Sequence, residues 1–113
     1  MEIYTQEEVD KIKPNENGVR CFPTGDYTQI KSFDDRCSFA KGCSFTKGCS
    51  FAERCLFARG CSFGERCIFA EWCLFAKGCS FGEGCLFAKE CLFSEGCSFA
   101  KGCLFNEHHS PEV

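Results

Sequence analysis

A six-residue repeat constrains this chain more than any other feature of its sequence. Cysteine recurs at every sixth position from Cys37 to Cys103, which gives twelve consecutive hexads of the form C-x-F-x-x-x. Phenylalanine occupies the third place of each of them, and Phe33 extends the series by one hexad toward the N-terminus. A repeat of this regularity predicts a solenoid, in which each unit packs on its neighbours.

Two earlier segments keep the same spacing of a small residue followed, two places later, by a larger one. They are Gly25-x-Tyr27 and Val19-x-Cys21. We therefore expect the solenoid to cover residues 19–108, which is fifteen hexads, with residues 109–113 as a tail.

The spacing within each hexad predicts short strands. Residues two apart on an extended segment point to the same face, so Cys and Phe share one face and the residue between them points away. A helix would place apolar residues three and four apart, which a period of six does not do. A large aromatic group in every hexad also argues against a disordered low-complexity tract.

The remaining places of the hexad show how many strands make one coil. The hexads fall into three sets when every third one is taken together. In one set the last place is always glycine, in another it is never glycine, and in the remaining set the second place is always serine. These sets are Gly42, Gly60, Gly78 and Gly96; Arg54, Trp72, Glu90 and His108; and Ser44, Ser62, Ser80 and Ser98. The superperiod of 18 residues predicts an all-β, single-stranded, three-sided parallel β-helix of about five coils.

The repeat resembles that of the hexapeptide-repeat left-handed β-helix family, in which a small inward residue precedes a larger inward one and then a small residue such as Gly or Ala. Cys61-x-Phe63-Gly64 matches that register. The resemblance implies a left-handed coil. The family usually pairs Val with Ile or Leu in its core, whereas this chain pairs Cys with Phe. A right-handed coil of pentapeptide repeats is the main competitor, but its period of five does not fit.

Many members of that family are acyltransferases that use acetyl-CoA or an acyl carrier protein, with a catalytic histidine near the helix and often an extruded loop. This chain has no residue inserted between Phe33 and Phe105, and its histidines, His108 and His109, both lie near the C-terminus. We therefore expect no enzymatic activity and no cofactor, and the acyltransferase relative stays a minor alternative.

The N-terminal residues 1–18 are expected to form a cap on the first coil. Thr5 and Glu8 have the spacing of a capping box, which predicts a short helix over residues 6–12 that stops before Pro14. Solenoids need such polar caps at their ends.

The cysteines are expected to be structural. They follow the repeat, with no C-x-x-C pair and no histidine at ligand spacing, so a metal or redox role is the weaker alternative. Buried free cysteine behaves as a small hydrophobic residue. The N-terminus lacks the apolar stretch of a secretory signal, which predicts a cytoplasmic protein. No apolar run approaches the roughly 18 residues that span a bilayer, so no membrane partner is expected.

The outward second place predicts where the chain binds its partners. On two faces it carries aliphatic residues, and a tryptophan lies at the corner between them. These candidate interface residues are Leu56, Leu74 and Leu92; Ile68, Leu86 and Leu104; and Trp72. Exposed apolar patches mark interaction sites, so we expect a protein partner, in the simplest case a second copy in a two-fold homodimer. The alternative is that residues 1–18 cover this surface.

Three other functions are alternatives to such an interaction. The Cys/Phe hexads look similar to arrays in uncharacterised bacterial and phage proteins, so a small phage- or mobile-element-type inhibitor of a host enzyme is an alternative. An ice-binding face is disfavoured because the serine column lacks the threonine files typical of such proteins. Nucleic-acid binding and DNA mimicry are disfavoured by a net charge of −3 with interspersed signs. The charged columns are acidic (Asp35, Glu53, Glu71 and Glu107, interrupted by Lys89) and basic (Lys41, Arg59 and Lys77).

Overall fold

Each hexad forms a short strand followed by a tight turn, because the alternating inward and outward residues fit an extended segment and the last two places fit a bend. The computed structural model describes residues 1–106. Helix α1 spans Gln6–Asp10. The strands are β1 (Arg20–Phe22), β2 (Asp26–Tyr27), β3 (Ser32–Phe33), β4 (Cys37–Phe39), β5 (Ser44–Phe45), β6 (Ser50–Phe51), β7 (Leu56–Phe57), β8 (Ser62–Phe63), β9 (Ile68–Phe69), β10 (Leu74–Phe75), β11 (Ser80–Phe81), β12 (Leu86–Phe87), β13 (Leu92–Phe93), β14 (Ser98–Phe99) and β15 (Leu104–Phe105).

The strands stack into three parallel sheets of five strands each, in the orders β1-β4-β7-β10-β13, β2-β5-β8-β11-β14 and β3-β6-β9-β12-β15. Equivalent hexad positions pair across each sheet, so Leu74 lies beside Leu56 and Leu92. This arrangement confirms the predicted three-sided parallel β-solenoid of about five coils. Its handedness stays a prediction.

The core consists of phenylalanine rings and thiols. Within a column the rings stack, as in Phe63 and Phe81 with centroids 4.8 Å apart. Between columns the rings meet edge to face, as in Phe69 and Phe75 at 5.1 Å and 87°. Both arrangements suit the electrostatic quadrupole of the rings. The prediction that Cys and Phe point inward is confirmed, since Phe75 is 2 % exposed and Cys73 is fully buried.

The cysteine thiols also bond to the backbone of the coil below. The Sγ atom of Cys61 donates to the carbonyl oxygen of Ala40 at 3.5 Å, and that of Cys67 to the carbonyl oxygen of Thr46 at 3.3 Å. The same contact, to the residue 21 positions earlier, recurs at each later hexad to Cys103. A thiol is therefore small enough for the interior and still satisfies a carbonyl lone pair.

The first hexad has a different register from the predicted one. Phe22, and not Cys21, pairs with Phe39 and enters the aromatic column, where it is 2 % exposed. Cys21 pairs with Ser38 and faces outward. The prediction from Val19-x-Cys21 was therefore wrong by one residue, because it extended a strict period of six across a segment whose next aromatic, Tyr27, follows Phe22 after five residues.

The N-terminal cap forms as a short helix with the predicted capping box, in which the Thr5 side chain and the Glu8 side chain each accept from the other residue's backbone N–H. The helix ends at Asp10, two residues earlier than predicted. Val9 is 2 % exposed and belongs to the core. The Arg20 guanidinium fixes the end of the helix by donating to the carbonyl oxygens of Val9 and Ile12 at 2.7 and 2.9 Å.

The residues before the helix add to a different sheet. Ile3 pairs in parallel with Asp26 of β2, and the Tyr4 ring stacks on Tyr27 with centroids 4.9 Å apart. Within residues 1–106 no helix is long and apolar enough to cross a bilayer. The predictions that concern Glu107, His108 and the tail 109–113 lie outside the described residues.

Candidate protein-interaction surface

The three flat sides of the solenoid differ in their outward residues. The serine face carries Ser44, Ser62, Ser80 and Ser98, which follow Asp26 in register. The leucine face carries Ser38, Leu56, Leu74 and Leu92. The mixed face carries Ser32, Ser50, Ile68, Leu86 and Leu104.

All seven predicted interface residues are on the surface. Their exposed fractions are Leu74 39 %, Leu56 40 %, Leu86 40 %, Trp72 44 %, Ile68 49 %, Leu92 53 % and Leu104 63 %. The N-terminal residues pair with the end of the serine-face sheet and pack on the core, so they do not bury these side chains. The alternative in which residues 1–18 cover the aliphatic columns is therefore wrong.

The corner between the mixed face and the leucine face has an unusual backbone. Its four outermost residues, which we call the Arg/Trp corner, all have positive φ without being glycine. They are Arg36 (58°), Arg54 (61°), Trp72 (66°) and Glu90 (66°). By contrast, the corner between the leucine face and the serine face uses glycine at the equivalent places, with φ of 72° at Gly42 and 76° at Gly78.

The left-handed region costs an L-residue about 1–2 kcal/mol, whereas glycine enters it freely. The corner nevertheless keeps its backbone contacts, since Arg54 N–H donates to the Glu71 carbonyl at 3.0 Å. The Arg54 guanidinium lies 5.8 Å from the centroid of the Trp72 ring, a cation–π contact. The corner therefore carries large side chains at positions where the backbone favours glycine, and backbone strain of this kind clusters at functional sites.

Charged residues border the leucine face on both sides. At the upstream edge, each directly before a residue of the Arg/Trp corner, lie Asp35, Glu53, Glu71 and Lys89. Directly after its strands, at the downstream edge, lie Lys41, Arg59, Lys77 and Glu95. Backbone hydrogen bonds stack both edges in order, for example from Gly60 N–H to the Lys77 carbonyl at 3.1 Å. Among residues 1–106, the one ion pair joins Arg20 to Asp34, so these edge charges are not paired within the chain.

A shallow groove of about 520 Å³ runs between the leucine column and the downstream edge. Its lining consists of Lys41, Ala58, Arg59, Ala76, Lys77 and Ser94. The alanines give the groove an apolar floor, and the cations form one wall. A flat aromatic group with an electron-rich face suits such a groove, because its ring can cover the alanines and contact the cations.

Most of the thiols lie inside the coil. All thirteen cysteines are free, and Cys21 is the exposed one among them. Burial raises the pKa of the Cys49 thiol to about 12, which keeps it protonated near neutral pH. Within the described part of the chain, no group of three His, Cys, Asp or Glu side chains is placed to hold a metal ion.

The arrangement defines a β-solenoid with exposed aliphatic columns on two adjoining faces and charged residues at both edges of the leucine face. No family model, no curated protein and no solved structure matches this chain. The resemblance to the hexapeptide-repeat family therefore stays a prediction, and so do the cytoplasmic location and the protein partner.

Sequence reasoning found the two aliphatic columns and Trp72 but missed three features of the surface. The positive φ of the Arg/Trp corner could have been predicted, because other hexads have glycine at the equivalent place, as at Gly42 and Gly78. The groove beside Ala58 and Ala76 follows from small residues in the fourth place. The edge charges have interspersed signs along the chain, which predicts a mixed surface, and their order becomes visible only when the two ends of each leucine-face strand are compared.

Proposed function

We propose that this protein is a non-catalytic β-solenoid scaffold that acts through protein–protein interaction and associates with itself through the aliphatic columns and Trp72. The observation that carries the proposal is the apolar flank, which consists of the two aliphatic columns on adjoining faces and Trp72 at the corner between them, with side chains between 39 % and 63 % exposed. A monomer seldom exposes an apolar patch larger than about 300–600 Å² unless the patch has a binding role.

The composition of the third face supports this proposal. A solenoid of this kind tolerates serine on the outside, since Ser62 and Ser80 lie on the serine face above the same Cys and Phe core. Leucine at the equivalent places of the leucine face is therefore not needed for the coil to form. Tryptophan is enriched among residues that dominate binding energy, and Trp72 lies centrally on the flank.

The chemistry of the described residues does not favour an enzyme. The exposed thiol of Cys21 accepts a hydrogen bond from the side-chain amide of Asn15 at 4.0 Å. An activated nucleophile is instead recognised by a general base within hydrogen-bond reach.

The proposal is tested by comparing the wild type with the double variant Leu74→Glu/Leu86→Glu in multi-angle light scattering and sedimentation. We expect the wild type to be a dimer or larger and the double variant to be a monomer with an unchanged far-ultraviolet circular dichroism spectrum. Ser62→Glu/Ser80→Glu is the matched control, because it adds the same charge to the serine face, and it should leave the oligomer intact.

A monomeric wild type at high concentration would exclude self-association. Affinity capture from cells, with the double variant as control, would then ask whether the same flank holds a foreign protein. An assembly that both double variants leave intact would place the contact elsewhere on the molecule.

A further inference from the structure

The leucine face has a charge pattern that is complementary to itself. Four of its five strands have one sign at the upstream edge and the opposite sign at the downstream edge. The pairs along these strands are Asp35 and Lys41, Glu53 and Arg59, Glu71 and Lys77, and Lys89 and Glu95. The sign is reversed in the fourth pair at both edges together, so the rule holds for the leucine-face strands β4, β7, β10 and β13.

The other two faces follow this rule incompletely. On the serine face the strand of Ser44 lies between Lys41 and Lys47, which have the same sign, although the three later strands of that face lie between opposite signs. On the mixed face the strand of Ile68 lies between Glu65 and Glu71, which again have the same sign. Within the described residues, the leucine face is the one on which every such charged pair is opposite in sign.

We infer that two copies pack leucine face to leucine face about a two-fold axis parallel to the solenoid axis, with Trp72 of each copy in the groove of the other. This inference rests on the proposed self-association. Such an axis keeps both solenoids pointing in the same direction and exchanges left for right across the face. The upstream edge of one copy then lies against the downstream edge of the other at the same height along the coil.

This geometry sets Asp35, Glu53, Glu71 and Lys89 of the upstream edge each against an opposite charge of the downstream edge, whereas Arg36, Arg54 and Glu90 of the Arg/Trp corner have the same sign as the downstream charges. Glu53 faces Arg59 of the second copy, and Lys89 faces Glu95 of the second copy. A two-fold axis along the strands and centred on Leu74 would instead set Glu71 against Glu71 and Lys77 against Lys77 of the second copy. Like charges placed directly opposite are unfavourable, and the axis parallel to the coil avoids them at these positions.

The same axis brings Trp72 to the groove. Trp72 precedes β10 at the upstream edge, and the groove follows the same strand at the downstream edge, beside Ala76 and Lys77. The indole would cover the alanine floor and lie against the cations of the wall, in the manner of its contact with Arg54 in its own chain. One face thus carries both the protruding group and the groove that receives it.

The relative direction of the two copies can be measured at Cys21, the exposed cysteine, which lies on the leucine face at the end of its column. A nitroxide is attached to Cys21 in a Cys103→Ala background, because Cys103 is half-buried while the other cysteines are buried. Facing sheets lie about 10 Å apart, so electron paramagnetic resonance should report labels within about 25 Å of each other. With the axis along the strands and centred on Leu74, six strand spacings of about 4.8 Å separate the labels by about 30 Å or more.

Charge exchange tests the pairing of the edges. Variant one changes Lys41, Arg59 and Lys77 to Glu, and variant two changes Asp35, Glu53 and Glu71 to Lys. Each variant alone opposes like charges at both edges, so its dimer Kd should rise at least about tenfold, and an equimolar mixture should regain a dimer near the wild-type Kd. Glu65→Lys/Glu83→Lys, at the corner away from the leucine face, is the control and should leave the Kd unchanged.

Making the two substitutions Leu74→Glu and Leu86→Glu singly shows which face forms the contact. Leu74→Glu should abolish the dimer, whereas Leu86→Glu, on the mixed face, should leave it. A wild-type dimer with labels about 30 Å or more apart, or charge variants that each dimerise like the wild type, would overturn this geometry while self-association stands. A monomeric wild type would overturn both.

Discussion

The serine face and the leucine face are two sides of one coil with the same interior and different exteriors. Phe63 beneath the serine face is 5 % exposed and Phe75 beneath the leucine face is 2 % exposed. Both sheets contain five strands in the same register. Above the phenylalanines, one side presents hydroxyl groups and the other presents aliphatic groups. The comparison indicates that the coil is specified from inside, so the outward residues are free to serve binding.

High pH should unfold the coil beneath both faces alike, because it ionises the thiols of the interior that they share. Burial raises the pKa of Cys49 to about 12 from its ordinary 9.0. Below pH 9 the thiol is protonated in both states and its stabilising effect is complete. Above pH 9 this thiol ionises in the unfolded chain but stays protonated in the folded one. The free energy of unfolding therefore falls by about 1.4 kcal/mol per pH unit for this thiol alone.

Burial also raises the pKa of Cys97 and Cys103, which belong to the serine and mixed columns, so these losses add. We expect the melting temperature to drop steeply between pH 9 and pH 12, together with the appearance of thiolate absorbance. A melting temperature that stays level over this interval would show that the thiols are not buried as described.

Truncation of one ring on each side gives the next largest effect. Phe63→Ala and Phe75→Ala each remove a ring that stacks at 4.8–4.9 Å on the next coil. Each should lower the free energy of unfolding by about 3–5 kcal/mol, because the cavity lies in the middle of the core.

The two losses should agree within about 1 kcal/mol when both are measured by denaturant titration in the monomeric Leu74→Glu/Leu86→Glu background. A much larger loss at Phe75 would mean that the leucine face contributes to the coil itself. That result would contradict the conclusion that the coil is specified by its inward residues alone.

The strict part of the sequence predicted the fold well. Twelve identical C-x-F spacings leave one way to bury thiols and rings, and the set of hexads without glycine revealed three sides. The register failed at Cys21, where the chain departs from the period and the larger Phe22 takes the inward place. Local spacing could not predict that, because the choice depends on which side chain fills the column above Phe39.

The candidate site was predicted less completely than the fold. Outward positions such as Leu74 follow from alternation within a strand, so their exposure was predictable. The groove beside Ala76 depends on residues of successive coils, such as Ala58 and Arg59, which are 18 residues from Ala76 and Lys77 and come together only when the coils stack. The spacing within one hexad does not show that relation.

The smallest expected effect compares two corners. Trp72→Gly and Arg66→Gly each replace an L-residue at a φ of 66° and 58°, respectively, with the residue that this region favours. In the monomeric background both should raise the free energy of unfolding by up to about 1 kcal/mol, because relief of strain exceeds the entropic cost of glycine. In the wild-type background Trp72→Gly should also weaken the dimer at least about tenfold, whereas Arg66→Gly should not. If Trp72→Gly instead destabilised the monomer and left the dimer unchanged in light scattering, Trp72 would serve its own chain, and the strained corner would have no role in binding.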